Sequence, residues 1–155
     1  MIDPTVPSEV LLDLLRRFEG CHRRGKDGLI HPYLCPANYP TQGYGRLVKD
    51  LSVPPITPQQ AEAWLLQDAE KHLRLALNVS PSLKDASEAR RAALASFVFN
   101  LGIGRYKAST LRRCVDRGNW NGAVEQIRKW VWGGGKKLPG LVLRREAEAR
   151  MLVQK

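Results

Sequence analysis

The apolar run over residues 92–101 restricts the possible folds more than any other part of the sequence. Apart from Ser96 and Asn100, the run contains only alanine and larger apolar residues, so that nearly every side of a helix built from it is apolar. Such a helix has to be buried on all sides by other segments. The chain has 155 residues, which is enough to provide those segments within one domain with one core.

A second helix is predicted near the start of the chain. Ser8 is placed to cap it, and its apolar residues recur at helical spacing as far as Phe18. Gly20 is placed to end it, because glycine readily adopts the left-handed conformation of a helix C-cap. Glu19 therefore falls in the last turn. Further helices are predicted at about 57–78, 85–101, 109–118, 119–131 and 141–153, with a loop over 133–140.

The segment from about residue 20 to residue 52 is different in character. Helical spacing disappears, and glycine, proline and tyrosine alternate along it. This composition is typical of short strands and tight turns. We therefore predict an α+β fold: a single domain over residues 1–155, with a small β-hairpin lobe at about 20–52 and a larger helical body at 8–19 and 57–153. A ligand site is expected in a cleft between the two lobes.

Charge and hydropathy exclude several classes of protein. The chain carries 25 Lys and Arg against 15 Asp and Glu, a net charge of +10, which indicates an acidic partner. The basic pairs are scattered over the whole chain, which favours an anionic cell envelope over a single nucleic-acid-binding stripe. No apolar stretch approaches the length of a membrane span, and the first residues do not resemble a secretory signal.

The cysteines and histidines do not indicate a metal or redox site. The three cysteines, Cys21, Cys35 and Cys114, form no C-x-x-C pair and are typical of a reducing compartment. A Cys21–Cys35 disulfide after export remains an alternative. His22, His31 and His72 lack the spacing of metal ligands, so we expect no metal and no cofactor.

An ordered set of motifs resembles the phage-type lysozymes, the muramidase endolysins of glycoside hydrolase family 24. A glutamate and glycine at a helix end are followed by a cysteine, by a threonine six residues later, and by Gly-Tyr-Gly. The downstream matches complete a resemblance over about residues 10–152: Phe97-Val-Phe-Asn-Leu-Gly-Ile-Gly104, Ser109-Thr-Leu-Arg-Arg113 and Trp130-Val-Trp-Gly-Gly-Gly-Lys-Lys-Leu-Pro-Gly-Leu-Val142 with Arg144-Arg145-Glu146.

The resemblance implies a lysozyme-like fold and an enzyme that hydrolyses the β-1,4 bond between N-acetylmuramic acid and N-acetylglucosamine with inversion. Glu19 would be the general acid, and Thr41 and Cys35 would orient the attacking water. The chemistry of Glu19 and Thr41 agrees with these roles. The negative end of a helix dipole and partial burial both favour a protonated Glu19 carboxyl, and the Thr41 hydroxyl can hold a water molecule.

The position of Cys35 departs from the family. Most members place eight residues between the glutamate and the aspartate or cysteine, whereas this chain places fifteen. We interpret the segment around Cys21–Gly28 as a seven-residue extension of the first hairpin. Asp27 is an alternative water-supporting residue, but Tyr33 stands six residues after it in place of a threonine. A purely structural Cys35, buried as a small apolar residue, also remains open.

Three further residues are tentative substrate-binding candidates: Tyr44, Asn100 and Arg145. A lytic transglycosylase acting on the same bond is an alternative, and a basic helical nucleic-acid-binding protein is a weaker one. The expected partners are peptidoglycan strands and the anionic envelope, with the chain as a monomer that binds no nucleic acid. By resemblance, the protein would accumulate in the host cytoplasm until a separate permeabilising protein releases it to the periplasm.

Overall fold

The computed structural model describes residues 3–21 and 23–155. Met1, Ile2 and His22 lie outside the described residues, and so do the predictions that concern them. Within the described ranges the chain is α+β, with small antiparallel sheets among a majority of helices, which confirms the predicted fold class. The chain divides into two compact units, one of Leu12–Asp68 and one of Ala69–Lys155 with the start of the chain up to Leu11.

Helix α1 covers Glu9–Glu19, and both of its predicted end signals are confirmed. The Ser8 hydroxyl accepts a hydrogen bond from the Leu11 backbone N–H at 3.1 Å. At the other end, Gly20 has a φ of 63°, and its N–H donates to the Arg16 carbonyl at 3.1 Å. This left-handed residue stops the helix, and Glu19 is its last residue, as the sequence predicts.

The predicted β lobe contains a three-stranded antiparallel sheet in the order β1-β2-β3. Strand β2 lies in the middle and pairs on both sides, with Thr41 opposite Tyr33 on β1 and opposite Leu47 on β3. Thr41 is therefore the central residue of the sheet. The strands are β1 (Tyr33–Leu34), β2 (Pro40–Gln42) and β3 (Arg46–Leu47).

The predicted extension is a tight hairpin that precedes this sheet. Arg24 and Ile30 form an antiparallel bridge, and Ile30 forms a second bridge with Ile56. Ile30, Ile56 and Ala61 make a small buried cluster, which anchors the base of the hairpin. Its tip is a turn in which the Gly28 N–H donates to the Gly25 carbonyl at 3.0 Å.

Helix α2 covers Pro58–Val79 and begins with the predicted capping box. The Thr57 N–H donates to Gln60 Oε1 at 2.9 Å, and the Gln60 N–H donates to Thr57 Oγ1 at 3.1 Å. These reciprocal bonds satisfy two backbone donors at the helix start. Proline at the first helical position adds no cost there, because its missing N–H would lack a partner in any case.

The unit that contains Ala69–Lys155 is built around α3, which covers Glu88–Leu101. Residues 92–98 of this helix are all buried, which confirms the predicted central helix, and α3 packs against α7. A short 3-10 helix, Pro81–Asp85, precedes it. The remaining helices are α4 (Ile103–Lys107), α5 (Thr110–Asp116), α6 (Trp120–Ile127) and α7 (Pro139–Leu152).

The helical body departs from the sequence prediction after α6. This helix ends at Ile127, before Val131, and the predicted loop contains a two-stranded hairpin, β4 (Trp132–Gly133) with β5 (Lys136–Lys137). Helix α7 begins at Pro139, two residues early, because proline is well suited to the first turn of a helix. None of the described helices is both long enough and apolar enough to cross a membrane.

Candidate active site

Glu19 is held in place by the glycine turn after β2. Gly45 has a φ of 95°, a conformation that favours glycine. A Cβ built on Gly45 would lie 3.1 Å from Glu19 Oε2, so the carboxylate rests directly on the turn. Gly45 therefore provides both the left-handed turn and the space that the carboxylate occupies.

Cys35 is positioned by the turn that connects β1 and β2. The Cys35 N–H donates to the Tyr39 carbonyl at 3.0 Å, and the Asn38 N–H donates to the Cys35 carbonyl at 2.7 Å. Asn38 has a φ of 70°, which asparagine tolerates better than most residues. This compact connection brings Cys35 and Thr41 to the same end of the hairpin.

The Thr41 hydroxyl has a defined orientation. Thr41 is buried, and its Oγ1 donates to the Tyr39 carbonyl at 2.8 Å. Because its single hydrogen is used in this bond, the oxygen retains its lone pairs as acceptors. Thr41 can therefore accept a hydrogen bond from a water molecule and orient it.

The Cys35 thiol lies among hydrogen-bond donors. The backbone N–H groups of Tyr39 and Ala37 lower the pKa of the Cys35 thiol, and partial burial opposes them; the Thr41 side chain lies within hydrogen-bonding reach of the sulfur. By contrast, burial and the nearby Glu62 carboxylate raise the pKa of the Cys21 thiol. Cys35 is thus the better hydrogen-bond acceptor of these two residues, because its thiol loses its proton more readily than that of Cys21.

Tyr33 lies near several of the candidate site residues. Its pKa is raised first by burial and then by the charges of Glu19, Cys35 and Cys21, while Arg23 lowers it. Thr41 is the cross-strand partner of Tyr33. Glu19 and Cys35 therefore lie close enough to Tyr33 for their charges to act on it, and Thr41 pairs with it across the sheet. The sequence analysis did not select Tyr33 as a site residue, and its position at the start of β1 was the available signal.

Asp27 has other partners at the tip of the extension. Its carboxylate accepts a hydrogen bond from the Leu29 N–H at 3.0 Å, and Oδ2 lies 3.0 Å from His31 Nε2. The Leu29 N–H in particular, with His31, holds the pKa of Asp27 below its usual range. Asp27 stabilises the hairpin turn, and Cys35 is the residue that the structure brings next to Thr41.

Tyr44 is half-buried and its hydroxyl is engaged. It donates to Glu62 Oε1 at 2.8 Å, and Glu62 Oε2 in turn lies 2.9 Å from Arg16 Nη2 on α1. Burial and the Glu62 carboxylate raise the pKa of Tyr44 to about 12. These contacts link the glycine turn, α1 and α2, and a role for Tyr44 in substrate binding stays a prediction.

Asn100 and Arg145 form part of a buried polar network in the other unit. Arg145 Nη2 donates to Asn100 Oδ1 at 2.9 Å, and Arg145 Nε lies 2.7 Å from Glu148 Oε1. Arg145 and Glu148 are fully buried, and Ser96 donates to Glu148 Oε2 at 2.6 Å. These bonds fasten α7 to α3, and substrate binding by Asn100 and Arg145 also stays a prediction.

Glu148 is the member of this network that sequence reasoning missed. Burial raises its pKa, and the Arg145 and Arg144 guanidinium groups lower it toward the usual range. The spacing of Arg144, Arg145 and Glu148 at i, i+1 and i+4 places both arginines within reach of the glutamate on one helix. That spacing was the signal available in the sequence.

The position after Gly-Tyr-Gly is also structural. Arg46 Nη2 lies 2.9 Å from Asp68 Oδ1 on α2, and its guanidinium stacks over the Trp64 ring at 4.5 Å from the centroid. In the described parts of the chain, no three His, Cys, Asp or Glu side chains come close enough together to hold a metal ion.

Solved structures with the same fold define the class of protein. The endolysin from Escherichia coli O157:H7 phage FAHEc1 matches with a TM-score of 0.75 at 29% identity, over 96% of this chain and 93% of that one. The muramidase domain of SpmX from Asticaccaulis excentricus has a TM-score of 0.80 over 96% and 98% of the two chains. At 22% identity, that second match shows the fold alone, which is the lysozyme fold.

Sequence comparisons identify the family. The phage lysozyme model matches residues 16–148. A SAR-endolysin of Bacteriophage PS119 is 38% identical over 129 residues, which are 80% of this chain and 76% of that protein. An endolysin of Acyrthosiphon pisum secondary endosymbiont phage 1 is 34% identical over 91% of this chain and 93% of that protein. The chain belongs to the phage lysozyme family, and it is a peptidoglycan-hydrolysing endolysin that serves host lysis.

Proposed function

We propose that Glu19 is the general acid of this lysozyme and that Thr41 and Cys35 hold the attacking water. The observation that carries the proposal is the arrangement around Tyr33: its strand partner is Thr41, and Glu19 and Cys35 lie close enough for their charges to add to the effect of burial in raising its pKa. An acid and a water-holding pair are the two groups that single-step glycoside hydrolysis needs.

The division of labour follows from the chemistry of each group. Glu19 protonates the glycosidic oxygen of the leaving sugar, since its carboxyl can carry a transferable proton. The Thr41 oxygen accepts a hydrogen bond from water, because its own hydrogen is donated to Tyr39. The Cys35 sulfur accepts a second one. The water then attacks the anomeric carbon from the face opposite the leaving group, which inverts its configuration. As the new C–O bond forms and the bond to the leaving oxygen breaks, the water releases a proton to solvent.

The reaction products distinguish this hydrolytic mechanism from that of a lytic transglycosylase. We expect muropeptides that end in a reducing N-acetylmuramic acid, with the inverted anomer formed first, because water supplies the incoming oxygen. Mass spectrometry of the digest and early-time NMR of the anomeric protons measure both properties. A predominance of 1,6-anhydro ends would overturn the water-holding roles of Thr41 and Cys35 and would favour transglycosylation.

Paired substitutions separate Cys35 from Asp27. We expect Cys35→Ala to lower kcat by about 10²-fold, in the usual range for a residue that assists proton transfer, and Cys35→Asp to retain activity because a carboxylate accepts the same hydrogen bond. Asp27→Asn is expected to leave kcat within about twofold, since Asp27 stabilises the turn and not the water.

The measurement is the initial rate of peptidoglycan solubilisation by each variant, with thermal unfolding as the check on folding. If Asp27→Asn lowers kcat as strongly as Cys35→Ala does without loss of stability, the water-supporting role belongs to Asp27. If Cys35→Ala is fully active, Cys35 has only a structural role.

The site of action follows from the same family. Relatives that are SAR-endolysins indicate release to the periplasm, where the peptidoglycan lies. We propose that this chain waits in the host cytoplasm and reaches the periplasm when a separate protein permeabilises the inner membrane. It acts as a monomer on glycan strands; its net charge of +10 attracts it to the anionic wall, and its scattered basic pairs do not form a nucleic-acid-binding stripe.

A further inference from the structure

The hairpin extension forms one side of a groove in the unit that contains Glu19. The His31 N–H donates to the Arg23 carbonyl at 3.0 Å, and the Gly25 N–H donates to the Leu29 carbonyl at 2.8 Å, so the hairpin has a fixed shape. The groove beside it has a volume of about 590 Å³. Its lining includes Arg23, Arg24, His31, Tyr33, Leu34 and Leu51, and we call it the arginine groove.

Two cationic side chains of this groove stand out because other arginines of the same unit are paired. Arg16 binds Glu62, and Arg46 binds Asp68. Arg23 and Arg24 are exposed, and within residues 3–21 and 23–155 neither guanidinium has an ion-pair or hydrogen-bond partner. The arginine groove therefore presents two positive charges to solvent.

The acidic residue closest in sequence does not cancel these charges. Asp27 directs its carboxylate to the Leu29 N–H and to His31. Arg23 is held at a φ of 64°, a left-handed conformation that residues with a side chain rarely adopt. The bond between His31 and the Arg23 carbonyl maintains this conformation, so Arg23 has a defined place beside the groove.

The arginine groove is adjacent to the proposed catalytic residues. Tyr33 lines the groove and is paired with Thr41 across the sheet, and the charges of Glu19 and Arg23 are both near enough to act on it. A polymer bound at Glu19 would therefore extend past Tyr33 toward the two arginines. The Leu34 and Leu51 side chains offer apolar contact to the carbon atoms of the same ligand.

We propose that the arginine groove binds carboxylates of the peptidoglycan stem peptides while Glu19 acts on the glycan. The proposal rests on the proposed function. In intact peptidoglycan the lactyl carboxyl of muramic acid is consumed in the amide bond to the peptide, so the free carboxylates belong to the stem peptides. Guanidinium groups match carboxylates in shape and charge, and the extension gives this chain a contact to the peptide as well as to the sugar.

The test compares binding to two forms of insoluble peptidoglycan sacculi, native and with the carboxylates converted to methylamides by carbodiimide and methylamine. All proteins carry Glu19→Gln to limit digestion. The groove variant is Arg23→Gln/Arg24→Gln. The control is Arg113→Gln/Arg117→Gln, which removes two exposed arginines of the other unit and makes the same change in net charge. Sedimentation of bound protein gives the apparent Kd.

We expect the groove variant to bind native sacculi about five- to tenfold more weakly than the Glu19→Gln parent, the effect of losing two exposed ion pairs. On amidated sacculi the two proteins should bind equally. The control should keep the parent's preference for native over amidated sacculi, because its arginines do not line the groove.

Three results would overturn the proposal. The groove variant could bind both kinds of sacculi equally more weakly than the parent, the control variant could lose as much affinity for native sacculi as the groove variant, or the groove variant could bind native sacculi as tightly as the parent. Loss of duplex DNA binding in the groove variant, with unchanged binding to sacculi, would assign the groove to nucleic acid instead. Digestion of sacculi by the Glu19→Gln protein would contradict the catalytic role of Glu19. It would not decide the role of the groove, which is judged from the ratio of the affinities for native and amidated sacculi.

Discussion

Replacing Glu19 by glutamine is expected to abolish lysis and to leave the fold intact. Glutamine has nearly the same shape and keeps the contact with Gly45, but it has no acidic proton to give to the leaving sugar. General acid catalysis contributes about 10²- to 10⁴-fold to a rate, so the clearing of chloroform-treated Gram-negative cells should slow by at least the lower figure. Turbidity measures the loss, and circular dichroism with thermal unfolding confirms the fold.

Glu125→Gln is the matched control. Glu125 lies exposed on α6, and its substitution makes the same chemical change without touching the residues around Tyr33. It should lyse cells at the rate of the unsubstituted protein. Near-normal lysis by Glu19→Gln would remove the general acid from the mechanism, whatever the behaviour of Cys35 and Thr41.

Glu148→Gln is expected to cause the largest loss of stability of any single substitution proposed for this protein. The Glu148 carboxylate lies 2.7 Å from Arg145 and 3.6 Å from Arg144, and all three side chains are buried. Removing one partner of a buried ion pair costs about 3–5 kcal/mol, because an uncompensated charge is left in the interior. For a chain of this length, the Tm should fall by roughly 6–20 °C.

The control for this loss lies two residues away on the same helix. Glu146 pairs with Arg128 at 2.7 Å in a partly exposed position, and such surface pairs contribute about 0–1 kcal/mol. Glu146→Gln should therefore shift the Tm by only a few degrees. Chemical denaturation of both variants gives the two free energies of unfolding. Equal values would show that Arg144 and Arg145 are stabilised without Glu148.

Local signals were sufficient for most of the helices. The ends of α1 follow from Ser8 and Gly20, and the start of α2 follows from the reciprocal bonds of Thr57 and Gln60. These signals act within four residues, so tertiary contacts do not change them. The buried α3 was predicted equally well, since a helix without a polar face has only one stable environment.

The errors lie where elements are short. Strands β4 and β5 have two residues each, which is too short for an alternating pattern to be recognised. Helix α7 follows Leu138, which makes no side-chain cap, so no capping signal marked its true start.

For the candidate site, the motifs selected candidate residues but did not predict what surrounds them. The spacing of Cys35, Thr41 and Gly-Tyr-Gly placed the hairpin correctly. Tyr33 and Glu148 were missed because their place in the structure comes from neighbours that no motif marked, Thr41 for Tyr33 and two arginines for Glu148. Asp27 stays an alternative, and its bonds to Leu29 and His31 at the hairpin tip favour Cys35.

The close approach of Gly45 to Glu19 has an evolutionary consequence. A methyl group at position 45 would press on the carboxylate at 3.1 Å, in a backbone conformation that already disfavours side chains. A descendant with a larger residue there would have to shift the Glu19 carboxylate, the proposed proton donor. Substitution of this glycine is therefore expected to mark copies of the gene that have lost activity.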